Sequence, residues 1–461
     1  MDRSSTMRAI GAGARVNRNG TARRRPIATA RNRWHWFSLL CLTLAGYALF
    51  GKGWAYLGVP PIFLGELALL GGLVSLALSG RGHAVFDTPP VWCLLALGGW
   101  GLVRTLPFVS AHGIDALRDA AVWGYSAFAL VVYGCLLAEP KRLLVVLRAY
   151  RRFGRVFLLV IPVVWLIRRF FWESVPAWPW ANVAVVDAKG GDVFVHLAGI
   201  LTFWVAGFEN RVTRFRLFLM AFCAALVGTF DRAGLLSFSV VFAACLVHRP
   251  HDGTLWRLMM AGVCGLLLLA VVDFRVQMPG REREISAAQM INNVLSIVSQ
   301  SDAGDLSDTK RWRLEWWAAI TEYTIHGDYF WTGKGFGINL ADDDGFQCNE
   351  DGSVRSPHNV QMTFLARTGA PGLMLWALVQ LSWALAIGRA YLESRLAGDV
   401  RWAGLFVFLA AYWMACLINA SFDVFLEGPM GGIWFWTIYG VGLAALRLYR
   451  VQPALFGPRP M

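Results

Sequence analysis

Residues 370–388 read APGLMLWALVQLSWALAIG, a run with no charged side chain. At 1.5 Å per helical residue it is long enough to cross a hydrocarbon core about 30 Å thick. Comparable apolar stretches recur at residues 36–50, 58–79, 90–106, 118–138, 155–171, 193–208, 217–229, 234–248, 258–274, 402–420 and 430–447. This pattern predicts an all-α, polytopic membrane protein with about twelve transmembrane helices. Composition agrees: of 461 residues, 56% are hydrophobic and only 16% charged, which does not describe a soluble globular chain.

The formal net charge of +13 would suggest nucleic acid in a soluble protein, but here its distribution reads as topology and no nucleic-acid partner is expected. With the N-terminus in the cytoplasm, Arg23, Arg24, Arg25, Arg31 and Arg33, the 141–155 cluster, and Arg211, Arg214, Arg216, Arg249, Arg257, Arg389, Arg395, Arg401, Arg447 and Arg450 all lie inside. The expected organisation is then a disordered basic tail over 1–33, nine transmembrane helices over 34–274, a large helical loop over 275–369, three more helices over 370–448 and a second cytoplasmic tail over 449–461. Both termini are cytoplasmic in this reading, and the loop faces the periplasm if the cell is Gram-negative. Seven of the eight cysteines fall in or beside apolar stretches and Cys348 stands alone in the loop, so no disulfide framework is expected.

The loop is the one long polar interruption, and its chemistry gathers there. An amphipathic stretch over 284–299 gives way to a polar linker over 301–308, after which Ser307 or Asp308 can cap a helix over 309–325. On that helix Arg311 and Glu315 form a surface pair, whereas Arg313 shares the apolar stripe of Trp316, Trp317 and Ile320. A guanidinium on such a stripe must meet an anion, because desolvating an isolated charge costs several kcal/mol. That anion is either a protein carboxylate (Asp328, Asp423 or Glu427) or a substrate phosphate.

Ser356-Pro357-His358-Asn359 reads as a helix start, with Ser356 as cap and Pro357 at the first helical position. His358 would lie in the first turn, where the helix dipole favours the neutral imidazole of a general base; the plainer alternative is a histidine bonded to a neighbouring carbonyl. Arg232, at the outer end of a span, is either a functional cation or a snorkelling side chain, and Asp231 would point about 100° away from it on a helix. Lys189, with Asp192 and His196 on one helical face, could line a cavity or form a self-satisfied pair. Asp423 and Glu427 could hold a cation, pair an arginine or sit in water. Asp342, Asp343 and Asp344 resemble a hard-metal site or a solvated turn. Lys334, in the glycine turn of Gly333, Gly335 and Gly337, is solvated or reaches a phosphate; the turn lacks the spacing of a nucleotide-binding loop.

Arg313-Leu-Glu-Trp-Trp317, Gly333-Lys-Gly-Phe-Gly337 and His358-Asn-Val-Gln-Met-Thr-Phe-Leu-Ala-Arg-Thr-Gly369-Ala-Pro-Gly372, preceded by Asp231-Arg232-Ala-Gly, resemble the O-antigen ligase and polymerase superfamily in order and spacing. The resemblance implies a metal-independent glycosyltransferase without a cofactor, in the bacterial inner membrane, acting on undecaprenyl-diphosphate-linked glycan at the periplasmic face. It puts Arg232 and Arg313 at the diphosphate and makes His358 the base, with Lys189, Lys334, Arg311 and Asn359 as candidate substrate contacts. Lys189 and Asp192 stand where the family often has an arginine followed by an asparagine-containing helix start. The acceptor would be lipid A core; a polymerase extending the glycan, or a protein O-oligosaccharyltransferase, would use the same donor. A transporter of lipid-linked sugar would need inverted repeats and charges near the membrane midplane, which the sequence lacks.

Overall fold

The computed structural model describes residues 28–457, apart from 61, 81–85, 274, 278–283, 287, 289 and 292–303. Helices dominate the described residues. They run in chain order as α1 (Ala28–Phe50), α2 (Lys52–Ala55), α3 (Leu64–Leu78), α4 (Pro89–His112), α5 (Ile114–Asp119), α6 (Ala121–Gly124), α7 (Ala127–Ala138), α8 (Arg142–Phe170), α9 (Gly190–Val205), α10 (Arg214–Gly228), α11 (Arg232–His248), α12 (Gly253–Val271), α13 (Gly304–Ile325), α14 (Leu340–Asp343), α15 (Val360–Leu396), α16 (Val400–Ala420) and α17 (Pro429–Val451). Among the described residues two short antiparallel hairpins join them, one pairing Gly58–Val59 with Ile62–Phe63 and one pairing Arg275–Gln277 with Glu284–Ser286.

Each of the twelve apolar stretches falls largely on helix. Among the described residues six helical runs are long and apolar enough to cross a membrane: α4, residues 121–138, α12, α15, α16 and α17. Trp36–Phe50, α3, α9 and α11 are shorter apolar helices. The chain is a helical, multi-pass membrane protein.

Local chemistry sets several of the helix starts. Thr213, Asp231, Asp252 and Asn359 each accept a hydrogen bond from a first-turn amide through their side chains, satisfying a donor the helix itself cannot. Pro89 and Pro429 open α4 and α17, where a missing N–H costs nothing.

Three sequence expectations shift. α1 begins at Ala28, inside the stretch read as an unstructured tail, while residues 1–27 lie outside the described residues. Of the amphipathic stretch, residues 284–286 form a strand, and most of the remainder, with 301–303 of the linker, lies outside the described residues. α13 starts at Gly304, so Ser307 and Asp308 fall within its first turns and neither is its cap.

Packing then decides what meets at the ends. α9, α11 and α16 pack on one another, α15 packs on α4 and α16, α17 packs on α7, and α13 lies on α15. α9 and α11 approach closely because small residues face each other. A Cβ on Gly234 would stand 2.9 Å from the Cα of Gly191 and 2.8 Å from the Phe194 ring, so this contact requires a glycine at 234. Beneath it an aromatic core of Tyr150, Phe153, Phe157, Tyr412 and Trp434 surrounds His196.

Candidate functional site

The start of α9, the start of α11 and the end of α16 come together at one end of the bundle, and the loop chain closes over them. Asp231 is not helical but caps α11, its Oδ1 accepting from the Gly234 amide at 2.6 Å. Its side chain also packs on Gly190, beside Lys189. Arg232 is the first residue of α11 and is half-buried. From the loop after α16, Asp423 accepts from Lys189 Nζ at 3.4 Å and from the Val424 amide at 2.8 Å, and its Oδ1 lies 3.5 Å from His358 Nδ1. Arg313 reaches down from α13, Nη1 donating to the Phe422 carbonyl at 2.8 Å. Lys189, Arg313, His358 and Asp423 therefore converge from four separate segments.

The stretch of chain carrying His358 is held firmly. Trp317 Nε1 donates to the Pro357 carbonyl at 2.8 Å, and the Trp312 ring meets the imidazole edge-on at 5.9 Å. Ser356 Oγ and Thr363 Oγ1 both donate to Glu427 Oε1, at 2.7 and 2.8 Å. His358 itself adopts a left-handed backbone (φ 54°), uncommon for a side chain other than glycine or asparagine and a form of strain that clusters at functional sites.

This geometry corrects the helix start read from sequence. The cap of α15 is Asn359, whose Oδ1 accepts from the Met362 amide at 3.1 Å; Ser356 and Pro357 lie before it, and His358 sits just outside the helix rather than in its first turn. Asn359 is thus occupied as a cap.

The charges are tuned by these neighbours. Burial alone would raise the Asp423 carboxyl, but the Lys189 ammonium and the nearby His358 imidazole outweigh it and hold Asp423 well below the usual carboxylate range. Burial pushes Glu427 up, only partly offset by its bonds from Ser356 and Thr363. Burial lowers Arg313, opposed by the charges of Asp423 and Asp231. Arg313 nevertheless makes no ion pair among the described residues: its one hydrogen bond goes to a neutral carbonyl, and its Nε is buried without a partner. Neither Asp328 nor Glu427 meets it, so of the carboxylates considered for it only Asp423 stands close enough to be felt.

Other sequence candidates are employed elsewhere. Lys334 is neither solvated nor open to a phosphate: it bonds Asp343 and Asp344 at 2.5 Å each and lies over the Tyr323 ring. Asp344, far from being solvated, is almost wholly buried and also accepts from Trp316 Nε1 at 2.6 Å. Among the described residues no group of three histidines, cysteines or carboxylates could hold a metal ion. Arg311 is exposed and pairs with Glu315 at 3.6 Å, as expected. Asp192 and His196 do not pair; His196 Nδ1 meets the Tyr412 hydroxyl at 2.6 Å inside the aromatic core.

Several groups went unnoticed in the sequence. Asn419 is fully buried against Gly191 with neither side-chain polar atom bonded, and Gln361 Nε2 donates to Ser421 Oγ at 3.2 Å, so a polar lining continues below Asp423. Asp119 of α5 anchors the loop from the far side, receiving Arg355 and Arg367 at 3.0 Å each. No periodicity marks these contacts, which join segments from 60 to more than 200 residues apart.

Residues 217–377 match the family model described as O-Antigen ligase. No curated protein matches the chain. The matched stretch contains Arg232, Arg313 and His358, the loop between α12 and α15 and the kinked start of α15, while Lys189 and Asp423 come from outside it. Over residues 217–377 the chain is therefore similar to the O-antigen ligase superfamily.

Proposed function

We propose that this protein transfers a glycan from a polyprenyl diphosphate to an acceptor hydroxyl, most simply that of lipid A core, at the periplasmic face of the inner membrane. The observation that carries this reading is the Arg313 guanidinium without an ion pair among the described residues, bonded to the carbonyl of Phe422 next to the Asp423 that His358 faces: a half-buried cationic fork with an unused Nε fits a phosphate, and an imidazole in the same cluster fits the incoming hydroxyl.

In the proposed reaction the bond from the sugar anomeric carbon to the diphosphate oxygen breaks, and the diphosphate leaves with the electron pair. Arg313, Arg232 and Lys189 stabilise the charge that develops on it. The acceptor oxygen forms the new bond to the anomeric carbon, and its proton passes to His358. Asp423 holds the imidazole with Nδ1 toward its own carboxylate, leaving Nε2 for the acceptor, the role a carboxylate plays beside a histidine base in other acyl and group transfers. Attack from the face opposite the leaving diphosphate gives an inverted anomeric centre. No step needs a metal ion.

The test is reconstitution of the purified protein with lipid-diphosphate glycan, with and without core lipopolysaccharide, in the presence of excess chelator. A conjugate formed only when core is present supports ligation, and lengthened lipid-linked chains without core support polymerisation. Absence of both products in a well-folded preparation, or loss of activity to chelator that divalent ion restores, overturns the mechanism.

A further inference from the structure

The helices that bring Arg232 and His358 to one end of the bundle meet again at the other. α11, with 17 residues, runs roughly 25 Å from Arg232 to His248, and α15 runs from the segment after His358 to Leu396. Where they end, beside the start of α16, lies a cavity of about 150 Å³ lined by His248, Arg249, Arg395, Ser394, Val400 and Gly404 among others. At roughly 30 Å³ per water it has room for a group of several heavy atoms.

The cavity is lined by basic groups without matching acids. Arg249 and Arg395 both bear electrostatically on His248, so the three stand close together. Among the described residues neither arginine makes an ion pair or a side-chain hydrogen bond. Of the neighbouring carboxylates, Glu393 pairs with Arg389 at 2.7 Å and Asp252 caps α12 through the Thr254 amide at 2.8 Å, while Asp399, between the lining residues Gly398 and Val400, is buried and does not itself line the cavity. The His248 ring is fixed by its Nδ1 contact with the Tyr391 hydroxyl at 2.9 Å, which leaves Nε2 as its remaining polar atom. The first residue of α16, a helix of 21 residues, also lines the cavity, its Val400 amide donating to the Gly398 carbonyl at 2.9 Å.

We infer that this cavity is a phosphate-binding site at the end of the bundle opposite the candidate catalytic cluster. Two guanidinium groups and an imidazole around a small recess suit a tetrahedral phosphate, either the phosphodiester of an anionic lipid headgroup or free phosphate. The inference does not rest on the glycan-transfer reading, since none of its residues belongs to that cluster.

The experiment uses the full-length protein in nanodiscs of phosphatidylcholine with a minor fraction of phosphatidylglycerol, counting retained phosphatidylglycerol by native mass spectrometry after mild release, with inorganic phosphate as competitor. The R249Q/R395Q double variant is compared with wild type and with R257Q, which alters an exposed arginine outside the cavity at the same end of the bundle. Wild type and R257Q should retain phosphatidylglycerol equally, and the double variant should bind it on the order of tenfold more weakly. Retention that inorganic phosphate does not displace assigns the site to lipid; displacement assigns it to phosphate in general. Equal retention by wild type and the double variant, together with no phosphate-dependent change in the melting temperature of wild type, overturns the inference. Near-wild-type melting of the double variant in phosphatidylcholine alone establishes that it folds.

Discussion

Asp423 Oδ1 lies 3.5 Å from Nδ1 of His358, on a carboxylate whose other ionic contact is the Lys189 ammonium at 3.4 Å. An imidazole in a left-handed, solvent-accessible segment has no intrinsic reason to hold one ring orientation, and this carboxylate supplies one. Asp423→Asn keeps the shape but removes the charge that both partners answer. We expect transfer to fall by about 10²-fold, within the range that a positioned base contributes, with the loss chiefly in kcat. The pH dependence has a definite sign: the folded-state value of Asp423 is depressed, so the stability it contributes is fully present above the ordinary carboxylate range and is lost only as pH falls through the lower, folded value. A melting temperature that declines through about pH 5 in wild type and stays flat in the Asp423→Asn variant would contradict this.

His358→Asn separates chemistry from backbone. Asparagine tolerates the left-handed conformation at φ 54°, so the segment between Trp317 and Asn359 should hold its place, while the general base is gone. Transfer should drop below detection with donor binding within about threefold of wild type. The comparison is made by retention of labelled lipid-diphosphate glycan. Substantial turnover in this variant would remove His358 from the reaction.

Arg313→Lys tests the fork. A lysine can restore the bond to the Phe422 carbonyl and so preserve packing, but offers one point charge where the guanidinium has a further, unbonded Nε. We expect an unchanged melting temperature, to within about 1 kcal/mol of stability, and at least roughly a tenfold rise in donor KM or fall in kcat. Wild-type turnover would show that Arg313 serves only to tie α13 to the end of α16.

The apolar periodicity carried the fold far because a bilayer permits few solutions: a long apolar stretch has to be helical, and all twelve are so along most of their length. Arg313 was legible for a similar reason, as a charge on a stripe otherwise made of Trp316, Trp317 and Ile320, of which Trp316 and Ile320 are fully buried and Trp317 half-buried. The start of α15 was misread because Ser356 and Pro357 carry a convincing local signal, yet Glu427, 71 residues away, takes the Ser356 hydroxyl and leaves the cap to Asn359. Lys334 and Asp344 misled in the same way. Each looked solvated in its own turn and was claimed by the other across ten residues of chain. What sequence withheld was the pairing of Asp423 with His358 and Lys189, which depends on three helix ends meeting.

Glu427 should leave a mark on the pH profile opposite in sense to Asp423. Its folded-state value is raised, so between the ordinary glutamate range and that raised value the native state binds more protons than the unfolded chain, and stability falls as pH rises through this window. Glu427→Gln keeps an oxygen to accept from Ser356 and Thr363 and removes the buried charge. The variant should melt at or above the wild-type temperature near pH 7, with the difference shrinking as pH is lowered toward about 4. A variant less stable than wild type at neutral pH would mean that attraction between Glu427 and Arg367 outweighs burial.

Gly369 controls how His358 is presented. At φ 69° and ψ −174° it breaks α15 after Thr368, in a region of backbone space essentially confined to glycine. The carbonyls that the break exposes are all taken: Ala366 accepts from the Lys334 amide at 2.7 Å, Arg367 from the Gly335 amide at 3.1 Å and Thr368 from Trp100 Nε1 at 3.0 Å. The glycine turn of Gly333, Gly335 and Gly337 thus terminates the short helix that begins after Asn359, and so sets the angle at which that helix meets the membrane-crossing part of α15. A Cβ on Gly369 would stand 2.5 Å from the Phe330 carbonyl oxygen, which accepts the Ala370 amide at 2.8 Å, so Gly369→Ala strains the backbone and breaks that bond together. The expected cost is about 2–4 kcal/mol in stability. Because the strain lies at the far end of the short helix that carries the His358 segment, transfer should fall further than the lost stability accounts for at a temperature where both proteins remain folded. A variant that loses stability but keeps wild-type kcat would show that the kink anchors the loop without aiming the imidazole.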